Sequence, residues 1–387
     1  MTGIRAVPAL LRTINERAVL DAIRASAPIS RAELARQTGI SKPTVSMALR
    51  ALVEDGLVRE TSHDPDRPHF GAVYYEADPE AALVLGVDLG THVLRGAVCD
   101  LHGAVRARQD LRAEGSLDAR IEAIGGIAES LLEAGALPAE LLDRAVVGVP
   151  AVVSPNDGRV YAADLPGLES SGLRTRLERR LRVPVTLEND VNLAALGSQR
   201  QGAARGVDDF AFLLVGDGLG AAVVLGGELH RGSNGAAGEL DAVRSGRPDD
   251  DDPCAAALAA YAARLAETRK TSVEPPFEPR TIFAAARAGD AVARDVVEEA
   301  GRRIALHVLP VAATLDLPLV VLGGDVAGNG DLLLEPVRRH LEEWLDFPPR
   351  VESSQLGDAA VLSGTLAAGL DAALEHVFER RSRGEQA

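Results

Sequence analysis

The spacing of apolar residues changes along the chain, from a helical pattern to an alternating one, near residue 81. Before that point, apolar residues recur every three or four positions, as in helices that bury one face. After it, the runs LVLGVDLG, HVLRGAVCD and AVRARQDL predict three strands joined by tight turns. The pattern therefore predicts a small helical domain at 1–80 and an α/β domain at 81–387.

Residues 28–59 have the features of a helix-turn-helix. Ser30 followed by Glu33 forms a capping box, so a helix is predicted to begin near Arg31. Gly39 supplies the backbone freedom for a sharp turn after that helix. A second helix must begin almost at once, and two such helices around a tight turn are typical of DNA-binding domains.

The second helix is predicted to be capped by Ser41, with Pro43 in its first turn, where a missing amide donor costs nothing. An apolar stripe of Val45, Leu49 and Leu52 would face inward. The residues predicted to face outward are Lys42, Thr44, Ser46, Met47 and Arg50. Hydroxyls and a methionine can approach base edges, and Lys or Arg can reach phosphates, so these five are the candidate DNA contacts.

Residues 57–76 predict two short strands around the polar loop SHDPDRPHFG, which would form a wing. Arg67 precedes a proline and is therefore held extended, which suits insertion into a narrow minor groove. The alternative is a solvated loop, because Asp64 and Asp66 would repel phosphate. Both interpretations of Arg67 stay open at this point.

Composition indicates a globular protein whose excess acidic charge lies outside the predicted DNA-binding domain at 1–80, which we call the reader. The 387 residues are 46% hydrophobic and carry a net charge of −16, enough chain for two or three domains. Residues 1–80 hold 10 Lys plus Arg against 11 Asp plus Glu, so nearly all excess acid lies beyond them. The two cysteines, Cys99 and Cys254, are too few for a disulfide framework or a cysteine zinc cluster, and favour a reducing cytoplasm. No apolar run approaches the roughly 20 residues that span a bilayer, so neither an export signal nor a membrane anchor is expected.

The α/β domain is predicted to contain two similar lobes, about 81–200 and about 201–387. In the first lobe, a helix from Ser116 to Ala134 and strands at RAVVGVP and VPVTLEN follow the three opening strands, with a helix from Val191. The second lobe repeats the order with FAFLLVGDG, LGAAVVLGG and PLVVLGG. Each lobe opens on a hairpin with Gly and Asp at its turn, which in some enzymes grips nucleotide phosphates in a cleft between the lobes.

These segments together resemble the ROK family of repressors, open reading frames and kinases. The matching segments, in chain order, are NERAVLDAI, ISKPTVSMALRALVEDGLV, GVDLG, LENDVNLAALG, VGDGLGAAVVLGGELHRGSNGAAGEL and VLGGDVAG. The resemblance implies an α/β fold, with an N-terminal winged helix-turn-helix before a two-lobed actin/hexokinase-like (ribonuclease H-like) domain. It covers nearly the whole chain.

The resemblance also implies a sugar site. In the family's kinases, the aspartate at the position of Asp190 acts as general base on a sugar hydroxyl, and the asparagine at Asn189 binds the sugar. Glu239 matches another sugar contact. In this chain Asp190 would be a vestigial catalytic base. The alternative is that Asn189 and Asp190 only cap the helix that follows.

Departures from the family pattern argue against catalysis. Where sugar-binding relatives continue into a histidine and a zinc-holding cysteine cluster, this chain has Asp241 and Ala242, then Cys254 alone, so no metal is expected. The aspartates at 249–252 are interpreted as a hydrated loop. The first phosphate loop, at Asp88 and Gly90, has lost one glycine, and the second loop contains Gly216, Gly218 and Gly220. Both loops are therefore interpreted as vestigial, ATP is expected to be held poorly, and no cofactor is expected.

The sequence therefore predicts a regulator of carbohydrate uptake or catabolism genes, most simply a repressor. Its partners would be a double-stranded DNA operator and a sugar or sugar derivative as effector, with no membrane. A dimer or higher homo-oligomer is expected, because one reader helix covers too few base pairs for high specificity. Two alternatives stay open: an ATP-dependent sugar kinase with a DNA-binding appendage, and a regulator whose sugar cleft has decayed.

Overall fold

The structure is a computed structural model that describes residues 8–61, 73–113, 115–161, 167–169, 172–240 and 251–382. Its first domain consists of three helices and a three-stranded sheet. The elements are α1 (Pro8–Ser26), β1 (Ile29–Ser30), α2 (Arg31–Thr38), α3 (Lys42–Glu54), β2 (Val58–Thr61) and β3 (Tyr74–Ala77). The strands are antiparallel in the order β1-β3-β2, so this domain is a winged helix.

The starts of α2 and α3 confirm the predicted caps. The Ser30 side chain accepts a hydrogen bond from the Glu33 backbone, and the Glu33 carboxylate accepts one from the Ser30 backbone, which completes the capping box. Gly39 has a left-handed φ of 72°, a conformation that favours glycine. Ser41 caps α3, and Val45, Leu49 and Leu52 are buried as predicted.

The two wing strands, β2 and β3, also confirm the sequence-based prediction. The polar loop between them, with Arg67 and the neighbouring Asp64 and Asp66, lies outside the described residues. The third strand, β1, was not predicted. It has only two residues and exists because Ile29 and Ser30 pair with Tyr75 and Tyr74 of β3.

The next part of the chain forms a five-stranded sheet with helices. Its elements are β4 (Leu83–Leu89), β5 (Val93–Asp100), β6 (Val105–Arg112), α4 (Leu117–Ala134), β7 (Leu142–Val149), α5 (Leu173–Leu181), β10 (Val185–Asn189) and α6 (Asp190–Gln201), with a small hairpin of β8 (Val152–Val153) and β9 (Val160–Tyr161). The sheet order is β10-β7-β4-β5-β6. The three opening strands are antiparallel, whereas β7 and β10 run parallel to β4.

A second five-stranded sheet repeats this topology. Its elements are β11 (Phe210–Val215), β12 (Leu219–Leu225), β13 (Glu228–His230), α7 (Ala255–Ala266), α8 (Pro279–Arg287), α9 (Ala291–Leu315), β14 (Leu319–Gly323), α10 (Gly324–Ala327), α11 (Gly330–Trp344) and β15 (Arg350–Ser353), followed by α12 (Ala360–Ser382). The order β15-β14-β11-β12-β13 corresponds strand by strand to that of the first sheet. Two lobes of the same design follow from this repetition.

Two helices lie between the sheets. Helix α6 follows the first sheet in sequence, but its apolar residues Val191, Ala194 and Ala195 pack with Phe210 and Phe212 of the second sheet. Helix α12 follows the second sheet and packs against α6 and against β4 and β7 of the first sheet. The lobes are therefore joined by an exchange of helices.

The winged helix shares a hydrophobic core with the first lobe. Apolar side chains from the three-helix domain form one buried cluster with residues of β4, β5 and α12. The reader residues are Val19, Leu20, Ile23, Leu34, Val45, Leu49 and Leu52, and those from the body are Val84, Cys99, Leu101, Leu370, Ala373 and Leu374. We call this cluster the junction core. Its continuity holds the winged helix against the body.

Among the described residues, the helices are too short or too polar to cross a membrane.

Candidate nucleic-acid interface and ligand cleft

The outward face of α3 presents a mixture of basic and apolar side chains. Lys42 and Arg50 are exposed, and the Met47 side chain between them is 66% exposed, which is high for an apolar residue. An α-helix with its side chains is about 10–12 Å across, close to the width of the DNA major groove, which is about 12 Å. These three predicted contacts are exposed on the outward face of α3.

The other two predicted contacts on α3 are partly buried, and their hydroxyls have partners within the protein. The Thr44 hydroxyl lies 2.8 Å from the Ser41 hydroxyl, and the Ser46 hydroxyl donates to the Lys42 carbonyl oxygen at 2.9 Å. Arg31 of α2 donates to Ser46 Oγ at 3.3 Å. Arg31 therefore lies beside the outward face of α3. The sequence indicated Arg31 only as the start of a helix and did not predict this contact.

On the first-lobe side of the cleft, Asn189 and Asp190 begin helix α6. Asn189 caps the helix by accepting a hydrogen bond from the Asn192 amide at 3.0 Å, and its Nδ2 donates to the Ala151 carbonyl at 3.2 Å. Asp190 Oδ1 accepts from the Val191 amide at 2.8 Å. Asn189 therefore caps α6, as one of the two interpretations of the sequence expected. Capping does not prevent Asn189 or Asp190 from also contacting a ligand.

The neighbouring carboxylate, Glu188, connects the two lobes. It is buried at the end of β10, where one oxygen accepts hydrogen bonds from the Asn189 amide and from Asn192 Nδ2, both at 2.9 Å. Its other oxygen accepts from Arg231 Nε of the second lobe at 2.6 Å. A carboxylate at the end of a buried strand was the sequence signal for this contact, but the arginine that reaches it comes from 43 positions away.

Glu239 lies on the loop that begins with Arg231, so its loop reaches the same end of β10. This loop is fixed between the lobes by two glycines with positive φ. A Cβ at Gly235 would lie 2.1 Å from the Val153 carbonyl oxygen of the first lobe, and one at Gly238 would lie 1.9 Å from that of Ala221. Only glycine fits at either place, because both the space and the backbone conformation exclude a side chain.

An arginine lies against the first phosphate-type turn, which is the loop after β4 that contains Asp88 and Gly90. Asp88, at the end of β4, is only 5% exposed and accepts a hydrogen bond from Arg95 Nη1 at 3.1 Å. The same guanidinium lies 3.4 Å from a carboxylate oxygen of Asp358 and 3.9 Å from one of Asp110. Burial raises the pKa of Asp88 to about 6, even though the positive charge of Arg95 lowers it.

A second arginine holds the backbone of this turn. Arg120 of α4 is buried and donates to the carbonyl oxygens of Gly90 at 3.0 Å and of Thr91 at 2.9 Å, as well as to that of Ala113. A Cβ at Gly90 would lie 2.7 Å from the Val93 carbonyl oxygen, so the turn requires glycine there. The turn is thus held by the protein itself.

The second phosphate-type turn, at residues 216–218, lies beside the first. The Gly216 amide donates to the Gly218 carbonyl at 3.0 Å, and Asp217 Oδ2 lies 3.6 Å from His92 Nε2 of the first turn. Gly220 belongs to β12, and a Cβ there would lie 2.8 Å from Val191 of α6. Gly220 therefore has a packing role, whereas Gly216 and Gly218 shape the turn.

Carboxylates dominate the electrostatics between these turns. Burial raises the pKa of Asp325, which begins α10, and the nearby charges of Asp358 and Asp217 raise it further. Asp88, Asp110 and Asp358 lie 3.1, 3.9 and 3.4 Å from the Arg95 guanidinium. Such an environment repels the phosphates of a nucleotide unless cations accompany them.

The described residues contain no group of three or more His, Cys, Asp or Glu side chains arranged to hold a metal ion. Cys254 is buried, and its amide donates to Asp252 Oδ1 at 2.8 Å. Asp251 accepts from Arg302 at 3.2 Å. Asp241, Ala242, Asp249 and Asp250 lie outside the described residues.

Comparisons with known proteins agree with this two-part architecture. Residues 84–370 match the model of the ROK family, and residues 12–67 match that of the MarR family. The xylose repressor of Caldicellulosiruptor bescii is 25% identical over 382 residues, which cover 92% of this chain and 96% of that repressor.

Two solved structures show the same folds. A ROK family transcriptional regulator, a homologue of the Escherichia coli MLC protein, aligns with a TM-score of 0.78 and 22% identity, covering 95% of this chain and 99% of that one. A ROK family glucokinase from Streptomyces griseus, in complex with glucose and AMPPNP, aligns with a TM-score of 0.65 and 26% identity. It covers 75% of this chain and 100% of that one.

Proposed function

Because this chain belongs to the ROK family, we propose that it is a DNA-binding repressor whose kinase-shaped body responds to a sugar or sugar derivative. The observation that carries this proposal is the exposed face of α3, with Lys42, Met47 and Arg50, on a winged helix that precedes the ROK body. The similar xylose repressor aligns with this chain over 96% of its own length. Genes for carbohydrate uptake or catabolism are the proposed targets.

The proposed contacts with DNA divide by chemistry. Lys42 and Arg50 contact phosphates, and Met47, with the partly engaged hydroxyls of Thr44 and Ser46, approaches base edges. Arg67 is proposed to reach the minor groove from the wing. Two copies of the reader, presented by a homodimer, would bind the two halves of a palindromic operator.

The effector is proposed to bind in the cleft beside the start of α6. Asn189, Asp190 and Glu239 would contact its hydroxyls, since the loop of Glu239 is held to the end of β10 by the Arg231–Glu188 ion pair. The related S. griseus glucokinase holds glucose. A sugar shifts the repressor between two states only as far as its affinity for them differs, so closure of the lobes must alter the reader's fit to DNA.

We propose further that the body catalyses phosphoryl transfer poorly or not at all. Arg95 lies against Asp88, Asp110 and Asp358, in the region where the family's kinases hold nucleotide phosphates, and Asp217 and Asp325 add negative charge. A nucleoside triphosphate would have to displace or neutralise these groups. The alternative, a sugar kinase with an attached DNA reader, is favoured by Asp190, which stands where the kinases have their general base.

Footprinting the purified chain on DNA upstream of its own gene tests the repressor proposal. We expect site-specific protection, and we expect Lys42→Ala and Arg50→Ala each to weaken binding roughly tenfold and to lower the slope of log affinity against log salt by about 1. Arg280→Ala, which removes the same charge from an exposed site in the second lobe, should leave binding unchanged. Absence of any protected site would exclude the proposal.

A coupled assay for ADP release, run with hexoses, aminosugars and pentoses, tests the kinase alternative. We expect no turnover, and we expect Asp190→Asn to keep DNA binding while losing the response of that binding to sugar. Sugar-dependent ADP release that Asp190→Asn abolishes would show instead that the chain is a kinase.

A further inference from the structure

A cavity of about 430 Å³ lies between the winged helix and the body, away from the cleft that contains Asn189 and Asp190. Its walls are the end of α1, the β5–β6 hairpin, the end of α6 and the first half of α12. Both the reader and the lobe that carries the first sheet therefore contribute to it. Its size is within the range of small-molecule sites.

The cavity is lined by positive charge in an acidic protein. Arg24 of α1, Arg108 of β6 and Arg200 of α6 line it, together with His102. Among the described residues that line it, Asp and Glu are absent, although the chain has a net charge of −16. Two of these arginines are ion-paired with acids outside the lining: Asp371 binds Arg200 at 2.5 Å, and Asp110 binds Arg108 at 3.1 Å.

Arg24 is held in the wall with part of its guanidinium unsatisfied. Its side chain is only 14% exposed, and its Nε is buried without a hydrogen-bond partner among the described residues. The nearest carboxylate oxygen of Asp21 is 3.9 Å from Nη1. Burial lowers the pKa of Arg24, and the charge of Arg200 lowers it further, while Asp371 raises it. Because burial disfavours the charged form of Arg24, an anion in the cavity would stabilise its guanidinium.

The side of the cavity formed by α12 is largely apolar. Leu362, Leu366 and Leu370 follow one another at intervals of four residues along α12 and line the cavity. Gln201 and Ser363, 3.3 Å apart, add an amide and a hydroxyl at its edge. The lining thus combines basic side chains with an apolar side and a few neutral polar groups.

We propose that this cavity binds a small organic anion, a phosphate monoester or a carboxylate, whose charged group meets Arg24 and Arg200 and whose remainder packs on α12. Planar guanidinium groups suit both anions, because they can donate two parallel hydrogen bonds. A ligand held this way contacts α1 of the reader and α6 of the body at once. Any effect of this ligand on operator binding rests on the proposed function. Binding of the ligand to the cavity does not.

Calorimetric titration of the full chain without DNA tests the site. The probes are inorganic phosphate, glucose 6-phosphate and citrate, with glucose as the uncharged comparison. We expect at least one anion to bind, and Arg24→Gln and Arg200→Gln each to weaken that binding by about tenfold or more. Ala367→Phe, which places a ring in the cavity without changing charge, should abolish binding.

One control variant separates this cavity from general surface charge. Arg205→Gln removes the same charge from an exposed position outside the lining and should leave anion binding unchanged. Anion binding that survives all three cavity variants, or that Arg205→Gln weakens equally, would overturn the proposal. So would a lack of heat with every anion at concentrations up to roughly 10 mM, where even weak specific binding is measurable.

Discussion

The carboxyl group of Asp88 is expected to make the stability of the protein depend on pH. Its pKa in the folded protein is about 6, above the value of about 3.9 for an exposed aspartate. The folded state therefore holds the proton more tightly, and folding stability falls as pH rises from about 4 to about 6. The size of this contribution is on the order of 2–3 kcal/mol.

Asp88→Asn removes this titration. We expect the free energy of unfolding of the variant, measured with urea, to rise relative to the parent by this amount between pH 4 and pH 6.5. Asp110→Asn, near the same arginine but with a side chain that is 43% exposed, serves as the control and should show little change. Equal pH profiles for Asp88→Asn and the parent would contradict the raised pKa.

At the residue scale, side-chain contacts between near neighbours in sequence could be predicted, whereas contacts between residues far apart in sequence could not. Ser30, Glu33, Ser41 and Asn189 act on amides within three positions of themselves, so the sequence contains the whole interaction. Arginine contacts are different. Arg120 reaches Gly90 across 30 positions and Arg231 reaches Glu188 across 43, and such contacts depend on how strands and helices are assembled.

Among the elements, the reader helix depends on its cap. Ser41 satisfies the Thr44 amide at the start of α3, and loss of such a cap costs about 1 kcal/mol. We expect Ser41→Ala to lower the free energy of unfolding by that amount and to weaken DNA binding through fraying of the turn that carries Lys42 and Thr44. Urea denaturation and footprinting measure the two effects.

Ser233→Ala is the matched control for that variant, since Ser233 is exposed on the loop between the lobes. It should change neither stability nor DNA binding. Full stability and full DNA affinity of Ser41→Ala would show that the helix start does not depend on its cap.

The spacing of apolar residues predicted most helices and strands, but not which element each of them packs against. The strands β4, β5, β6, β7, β10, β11, β12 and β14 and helix α4 lie where alternation or helical spacing placed them. Chain order suggested that residues 201–387 form one lobe, yet α12 packs against β4 and β7 of the first sheet. An apolar helix face shows that it will be buried, while its partner is decided by the assembled molecule.

At the scale of the whole molecule, the junction core makes the reader and the first lobe dependent on each other. Leu374 of α12 is 2% exposed within that cluster. We expect Leu374→Ala to destabilise the protein by roughly 2–5 kcal/mol. Hydrogen exchange followed by mass spectrometry should then show faster exchange in α1–α3 and in β4–β5 alike.

Leu333→Ala provides the comparison, because Leu333 is equally buried but belongs to the core of the second sheet. Its effect on exchange should be concentrated in the second lobe. If Leu374→Ala left exchange in α1–α3 at the parental rate, the reader would be stable without the body.

The junction core also limits how this protein can be re-engineered. A chimera that grafts a relative's winged helix onto this body at residue 81 would set foreign side chains against Leu370, Ala373 and Leu374, which lie in one buried cluster with the native winged helix. Such hybrids should fold poorly unless the facing surface of α12 is transplanted as well. A new operator preference is better sought by changing Met47 and its exposed neighbours in place, since those substitutions leave the junction core unchanged.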